Sequence, residues 1–330
     1  MIITKATAIA NSNTALVKYW GKQDEQLIIP MNNSISLTVD SLSTITTVDF
    51  SESYDEDLFI LNKKIQSDTP KKRVQKHLDI IRNIANVELN ANVVSENNFP
   101  TAAGLASSAS GFAALTAAAS SALGLNMNPK ELSMLSRRGS GSSCRSFYSG
   151  FVEWIKSDDN NESYAIQLAD ENWFDIRDLV IVFKKHNRKY TTREAMKISK
   201  KTSPLYDARL EIVEDNLVKV RKAIKERDFS LLGQTAEADC LLMHSIALTS
   251  NPSQLFWTAE TLGMIKFVQE LREGGLESYY TIDTGTNMHI LTKPEFSDEI
   301  CAILRKIPYI TNIIECKPGP GVQIIKDDLF

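Results

Sequence analysis

Between Asn98 and Leu115 the chain reads NFPTAAGLASSASGFAAL, a run of Ala, Ser, Thr and Gly without one charged side chain. Such a turn opening a helix leaves backbone N–H groups unobstructed at the positive end of the helix dipole, with hydroxyls as further donors, which suits a polyphosphate. It is not a Walker A loop, because the G-x-x-x-x-G-K-[ST] spacing is missing and no lysine follows. Close helix packing through Ala and Gly accounts for the same residues equally well, so the stretch alone leaves both readings open. Two other segments carry groups able to do chemistry. GSGSS at Gly139–Ser143 offers backbone donors, although alone it reads first as a flexible loop. Asp283, in TIDTGTN, sits where a strand meets a turn and a carboxylate can be held rigidly; by itself an Asp there is more often a turn or capping residue.

The elements that must position these groups are legible as patterns. ITKATAIANSNTALVKYW and SISLTVDSLSTITTVDF read as strands, SESYDEDLFILNKKIQ as a hairpin-like excursion, and Val74, Leu78, Ile81 and Ile84 recur at helical spacing. LNANVVSE is a short strand. The Ala-rich run from Ala109 predicts a helix with Gly124 as its C-cap, and a second helix starts with Asn128 before Pro129. These two helices flank the Gly/Ser loop that begins at Gly139. GFVEWI and DLVIVF predict strands, and helices are expected over Leu205–Arg227, Phe229–His244 and Ala259–Glu273. SYYTIDTGTNMHILT predicts strand, turn and strand, and CKPGPGVQII a final turn and strand.

With 330 residues the chain is long enough for two lobes around a buried cleft. Its formal net charge of −4 provides no global field toward nucleic acid or an anionic membrane, so an anionic ligand needs local cations. No unbroken apolar run of membrane-spanning length and no secretory leader pattern is present, which makes a cytoplasmic location the expectation. Cys144, Cys240, Cys301 and Cys316 are scattered and read as reduced thiols. His77, His186, His244 and His289 form no metal or triad pattern and are expected to be structural or exposed.

PTAAGLASSAS (Pro100–Ser110) resembles the phosphate-binding P-x-x-x-G-L-x-S-S-A motif of the GHMP kinases. Joined by KYWGK (Lys18–Lys22), PMNNSIS (Pro30–Ser36), RRGSGSSCRSFYSGFVEW (Arg137–Trp154) and TIDTGTN (Thr281–Asn287), in the same order along nearly the whole chain, it resembles the diphosphomevalonate decarboxylase family of that superfamily. The resemblance implies an α/β (α+β), two-lobed GHMP kinase fold. Its N-terminal ATP-binding lobe, of a ribosomal-protein-domain type, would span 1–185, and its ferredoxin-like α+β lobe 186–330. It further implies ATP and Mg²⁺ as cofactors, mevalonate 5-diphosphate as the small-molecule substrate, and a homodimer. In the implied reaction ATP phosphorylates the tertiary 3-hydroxyl, after which phosphate and carbon dioxide leave to give isopentenyl diphosphate.

The same resemblance assigns roles to residues. Asp283 would orient or deprotonate the 3-hydroxyl, Arg145 would hold the substrate carboxylate with its planar fork of donors, and Lys189 would approach the transferring phosphate. Tyr19, Lys22, Ser140, Gly141, Ser142, Thr192, Arg193 and Met196 would bind substrate, with Lys18 close to Lys22. Ser95, Asn97, Gly104, Ala106, Ser107 and Ser108 would cradle the nucleotide; no metal ligands are assigned. Lys71, Lys72, Arg73 and Lys76 in TPKKRVQK lie near this nucleotide site and read first as a solvated helix start, second as a lid. TIDTGTN departs from the family's bacterial MDAGPN pattern at Ile282, Thr284 and Thr286. The rival expectations are a GHMP kinase of the mevalonate 3-kinase kind that stops after phosphoryl transfer, a decarboxylase of mevalonate 5-phosphate, and a non-catalytic sensor.

Overall fold

The computed structural model describes residues 4–99, 107–184 and 189–330. Its first half runs β1 (Lys5–Val17), β2 (Lys22–Asp24), β3 (Ile29–Pro30), β4 (Ser34–Ser51), β5 (Leu58–Leu61), β6 (Lys64–Ile65), α1 (Asp68–Ala85), β7 (Asn90–Asn97), α2 (Ser107–Ala122), α3 (Pro129–Arg137), a 3-10 turn at Gly141–Phe147, β8 (Phe151–Trp154) and β9 (Ala165–Ala169). The second half runs β10 (Arg177–Phe183), α4 (Thr192–Thr202), α5 (Tyr206–Glu226), α6 (Phe229–Leu248), α7 (Ala259–Glu273), β11 (Ser278–Ile282), β12 (Met288–Thr292), α8 (Pro294–Leu304), β13 (Ile310–Cys316) and β14 (Gln323–Ile325).

The first sheet has the order β14-β1-β4-β7-β5-β6, with β8 and β9 added beside β4. β1 and β4 pair antiparallel from Lys5 opposite Asp49 to Val17 opposite Ile35, with register shifts at Asn11/Asn13 and Ala15/Val17. Such irregularities bend a strand. The bend lets one half of β4 pair with β7 while Ser34–Leu37 pairs with β8. Against this sheet lies α2, whose Ala113, Ala114, Ala117 and Ala118 pack with Ala8, Ala10, Val48 and Val93. Alanine here lets helix and sheet approach closely, so the packing reading of the small-residue run holds for the helix body. α3 starts as the sequence predicts: Asn128 accepts from the Glu131 backbone, Glu131 reaches back to the Asn128 N–H, and Pro129 occupies the first turn.

The second sheet has the order β11-β12-β10-β13, all antiparallel. After Asp178 strand β10 is apolar, Leu179–Phe183, because both of its faces are covered. Leu179, Ile181 and Phe183 pack with Met264, Val268, Ile300 and Leu304 of α7 and α8, while Val180 and Val182 pack with Val213, Leu217 and Leu232 of α5 and α6. The latter cluster continues into Leu16, Ile35 and Leu37 of the first sheet, so α5 and α6 are wedged between the lobes. Because β10 belongs to the second sheet, that sheet begins at Arg177, ahead of residue 185. After β13 the chain returns to the first lobe: Gly319 N donates to Thr38 O at 2.8 Å, and β14 pairs with β1. The segment expected as a loop from Gly139 tightens into the 3-10 turn instead. No helix among the described residues is long and apolar enough to cross a membrane.

Candidate active site

The end of β1 and the β11–β12 turn meet where the two lobes join. Lys18, one residue past β1, donates from Nζ to Asp283 Oδ1 at 2.6 Å. Its main chain is held on both sides: Lys18 N donates to Asp239 Oδ2 at 2.6 Å, and Lys18 O accepts from Arg209 at 2.8 Å and from Asn32 Nδ2 at 3.1 Å. Arg209 and Asp239, on α5 and α6, are both fully buried. The turn carrying Asp283 is fixed as well. His244 Nε2 lies 3.1 Å from Ile282 O, Asn287 Oδ1 accepts from Phe183 N at 3.0 Å, and Thr284 Oγ1 lies 2.6 Å from Thr192 Oγ1 at the start of α4.

The Asp283 carboxylate keeps 29% exposure while the Lys18 side chain keeps 4%, so the acid can be reached and the ammonium is enclosed. Burial opposes ionisation of Asp283, but the charges of Lys18, His289 and Arg145 and the Lys18 hydrogen bond overcome it and hold its pKa below the ordinary carboxylate value. It is a carboxylate at neutral pH.

Arg145, in the 3-10 turn, is 2% exposed and donates to neutral acceptors: Ser36 Oγ at 2.8 Å, Ser34 Oγ at 2.6 Å and Asn13 Oδ1 at 3.2 Å. Burial lowers its pKa, with Asp283 among the groups that offset this. A guanidinium kept out of water without a directly bonded carboxylate is poised for an anionic ligand.

Beside it the GSGSS segment is shaped by its neighbours. A Cβ on Gly141 would fall 2.7 Å from the Tyr19 ring and 3.0 Å from Trp154, so only glycine lets the turn close over Tyr19. The Tyr19 ring packs on Trp154 with centroids 4.8 Å apart, and its hydroxyl is buried without a partner. Burial is the main reason its phenol is pushed far above the usual range. Ser140 Oγ donates to Ser108 Oγ at 3.2 Å, which brings this turn to the start of α2. Ser142 O accepts from Asn13, Arg193 donates to Gly139 O at 2.6 Å, and Met196 is packed with Trp20 and Tyr206. Lys22 is buried and paired with the exposed Glu25 at 2.6 Å.

Of the expected nucleotide residues, Ser107 opens α2 and Ser108 is exposed there. Ser95 is buried on β7 with its hydroxyl 2.8 Å from Thr46 Oγ1, and Asn97 Oδ1 accepts from Thr44, whose hydroxyl also meets Ser110 of α2. Gly104 and Ala106 lie outside the described residues. Lys189 stands over the Tyr190 ring at 5.3 Å, with no described contact to the Asp283 cluster.

Three groups were not assigned from sequence. Arg209 and Asp239 sit inside unremarkable helical patterns, and no local signal marks them. Arg73, expected as part of a solvated helix start, lies over the Phe112 ring at 5.0 Å with Nε buried and unpartnered. Burial, and after it the charge of Arg193, depress its pKa to about 10. Two guanidiniums that repel each other beside GSGSS favour an anion between them. Of the histidines, His77 and His244 are structural as expected, each pushed down to about 3 chiefly by burial.

Comparison with known proteins identifies the family. A family model for the diphosphomevalonate decarboxylase-like N-terminal domain matches residues 10–165, and one for the mevalonate 5-diphosphate decarboxylase C-terminal domain matches 178–322. The diphosphomevalonate decarboxylase of Candida albicans is 34% identical, with 98% of this chain and 99% of that protein covered. The mevalonate diphosphate decarboxylase of Enterococcus faecalis, solved in a study of mevalonate diphosphate-mediated ATP binding, superposes with a TM-score of 0.93 at 39% identity over 98% of this chain and 99% of that one. The Staphylococcus aureus mevalonate diphosphate decarboxylase superposes with a TM-score of 0.94 at 39% identity, covering 98% of each chain. A structure of MDDEF in complex with MVAPP, AMPPCP and magnesium also reaches 0.94, at 38% identity over 98% of this chain and 99% of that one. With both domain models matched in order and full-length relatives above 30% identity, the chain belongs to the diphosphomevalonate decarboxylase family.

Proposed function

We propose that this protein carries out the ATP-dependent decarboxylation of mevalonate 5-diphosphate to isopentenyl diphosphate, ADP, phosphate and carbon dioxide. The observation that carries the reading is the pairing of a reachable, ionised Asp283 with a buried Arg145 whose bonded partners are neutral. One suits the hydroxyl to be phosphorylated, the other the carboxylate to be lost.

In this reading Arg145 takes the substrate carboxylate, Tyr19 and the Gly141 turn enclose the chain, and Lys22, Arg193, Arg73 and the Ser140–Ser142 donors take the diphosphate. Asp283 accepts a hydrogen bond from the 3-hydroxyl. A carboxylate whose pKa is held low by Lys18 is a weak base, so it orients the oxygen first and takes its proton only as the bond to phosphorus forms. Phosphorylation makes a good leaving group of a poor one. Departure of phosphate leaves positive character at the tertiary carbon, which the electrons of the breaking carboxylate bond fill as carbon dioxide departs.

ATP binds at the start of α2, where Ser107 and Ser108 open the helix, and Lys189 approaches its transferring phosphate. Mg²⁺ supplies charge neutralisation between the phosphates.

We place the lobe division between residues 169 and 177, supported by β9 pairing within the first sheet and β10 within the second, with β14 returning to the first. We read the protein as a homodimer, supported by exposed Ile212 on α5 and exposed Leu241 and Leu248 on α6. Four buried free cysteines support a reducing, cytoplasmic setting.

The test is to incubate the protein with Mg-ATP and, separately, mevalonate, mevalonate 5-phosphate and mevalonate 5-diphosphate, following ADP, phosphate and carbon dioxide together. Equal yields of all three from the diphosphate alone are expected. ADP without carbon dioxide would make the protein a kinase, and turnover of the monophosphate would move the substrate assignment.

A further inference from the structure

The face of β11 and β12 that meets the end of β1 carries a row of polar side chains. Thr281 stands opposite His289 in the β11–β12 ladder, and residues two apart on a strand share a face, so Asp283 continues the row begun by Thr281. Each member meets β1 or its extension. Thr14 Oγ1 lies 3.2 Å from His289 Nδ1, Thr281 Oγ1 donates to Ala15 O at 3.2 Å, and Lys18 donates to Asp283 at 2.6 Å.

His289 is gripped from β10 as well. Val180 is its partner in the ladder, which makes Asp178 the diagonal neighbour on the same face. The Asp178 oxygens lie 2.9 and 3.1 Å from His289 Nδ1. Thr14 Oγ1 donates to Asp178 Oδ2 at 2.6 Å, so its single proton is committed there and Nδ1 must carry its own to donate to the carboxylate. Asp178 is fully buried and His289 is 5% exposed. Burial pushes the imidazole down, and the charge and hydrogen bond of Asp178, helped by Asp283, more than offset this. The charged groups facing His289 are Asp178 from β10, Asp283 from the turn, and Lys18 beyond β1. Asp239 and His244 of α6 are engaged by Lys18 N and Ile282 O.

We propose that His289, clamped by Asp178 and Thr14, is a positioning residue that supplies Asp283 with a second positive charge, so that the carboxylate keeps its charge and orientation without depending on Lys18 alone. This rests on Asp283 being the group that meets the 3-hydroxyl.

The experiment compares the pH dependence of kcat for the full-length protein and its His289→Asn, His289→Lys, Asp178→Asn and Asp283→Asn variants, together with the imidazole titration of His289 by NMR. Removing a cation raises the Asp283 pKa. The acid limb of kcat therefore moves up by about half to one pH unit in H289N, while KM changes little and H289K keeps the wild-type limb. In the wild type His289 titrates above the ordinary histidine range, and in D178N it falls. An unmoved acid limb in H289N while D283N is inactive would overturn the proposal and leave the site reading intact; full activity in D283N would overturn both. Should the variants not fold, the wild-type titration decides: His289 neutral at pH 6 overturns the proposal.

Discussion

Lys18 Nζ lies 2.6 Å from Asp283 Oδ1 across 265 positions of sequence, and the lysine backbone that makes this possible is bonded at both N–H and C=O by side chains from α5 and α6. The contact links the last turn of one lobe's central strand to the turn of the other lobe's sheet. It also helps to keep Asp283, a carboxylate that retains exposure, in its ionised form.

Asp283→Asn removes the acceptor for the 3-hydroxyl while keeping its shape. The expected result is a fall in kcat of about 10²- to 10⁴-fold with KM nearly unchanged. Lys18→Met is expected to move the acid limb of kcat upward, because Lys18 holds the Asp283 pKa below its ordinary value. For the same reason Asp283 contributes stability above the ordinary carboxylate range, lost as pH falls through its own lower pKa; acid titration of K18M against wild type by circular dichroism measures that contribution.

Arg145 makes three hydrogen bonds to Ser34, Ser36 and Asn13 that fit a planar fork. Arg145→Lys therefore does not restore function. We expect R145Q and R145K to bind mevalonate 5-diphosphate about 10- to 100-fold more weakly by calorimetry, as loss of a charge-assisted hydrogen bond of about 1.5–3 kcal/mol requires.

Gly141→Ala places a methyl 2.7 Å from the Tyr19 ring. Displacing Tyr19, which is packed on Trp154, is expected to cost about 1–3 kcal/mol in chemical denaturation and to raise KM for the substrate. An unchanged denaturation midpoint with unchanged KM would mean that the turn yields without moving Tyr19.

Arg209 holds the site from α5 through Lys18 O and Asn32. Arg209→Met leaves Asp239 buried without its cation and frees one side of Lys18 O. A loss of about 3–5 kcal/mol in urea unfolding is expected, along with reduced kcat in whatever fraction folds. Arg209→Lys should recover part of the stability and less of the activity.

Much of the fold follows from local rules that act within a few residues. Asn128, Pro129 and Glu131 cap α3 wherever it lies, and the alternation in β4 and the apolar run of β10 specify strands because side-chain direction repeats every two residues. The motif around Asp283 and the small-residue stretch were likewise legible, since a backbone that must approach a phosphate admits few residue types. The partners were not. Lys18 with Asp283 and Arg209 with Asn32 are joined by bonds that span the lobes, Asp178 with His289 by a bond between neighbouring strands of the second sheet, and nothing in the chain near any of these residues says which partner it will meet. Only burial makes them matter: once α5 and α6 are wedged between the sheets, each charge there must find a particular partner, and that choice is made by the packed geometry. Sequence by itself determined which elements form and where a phosphate could lie, whereas the tertiary structure decided which charges face one another and hence the chemistry the cleft can do.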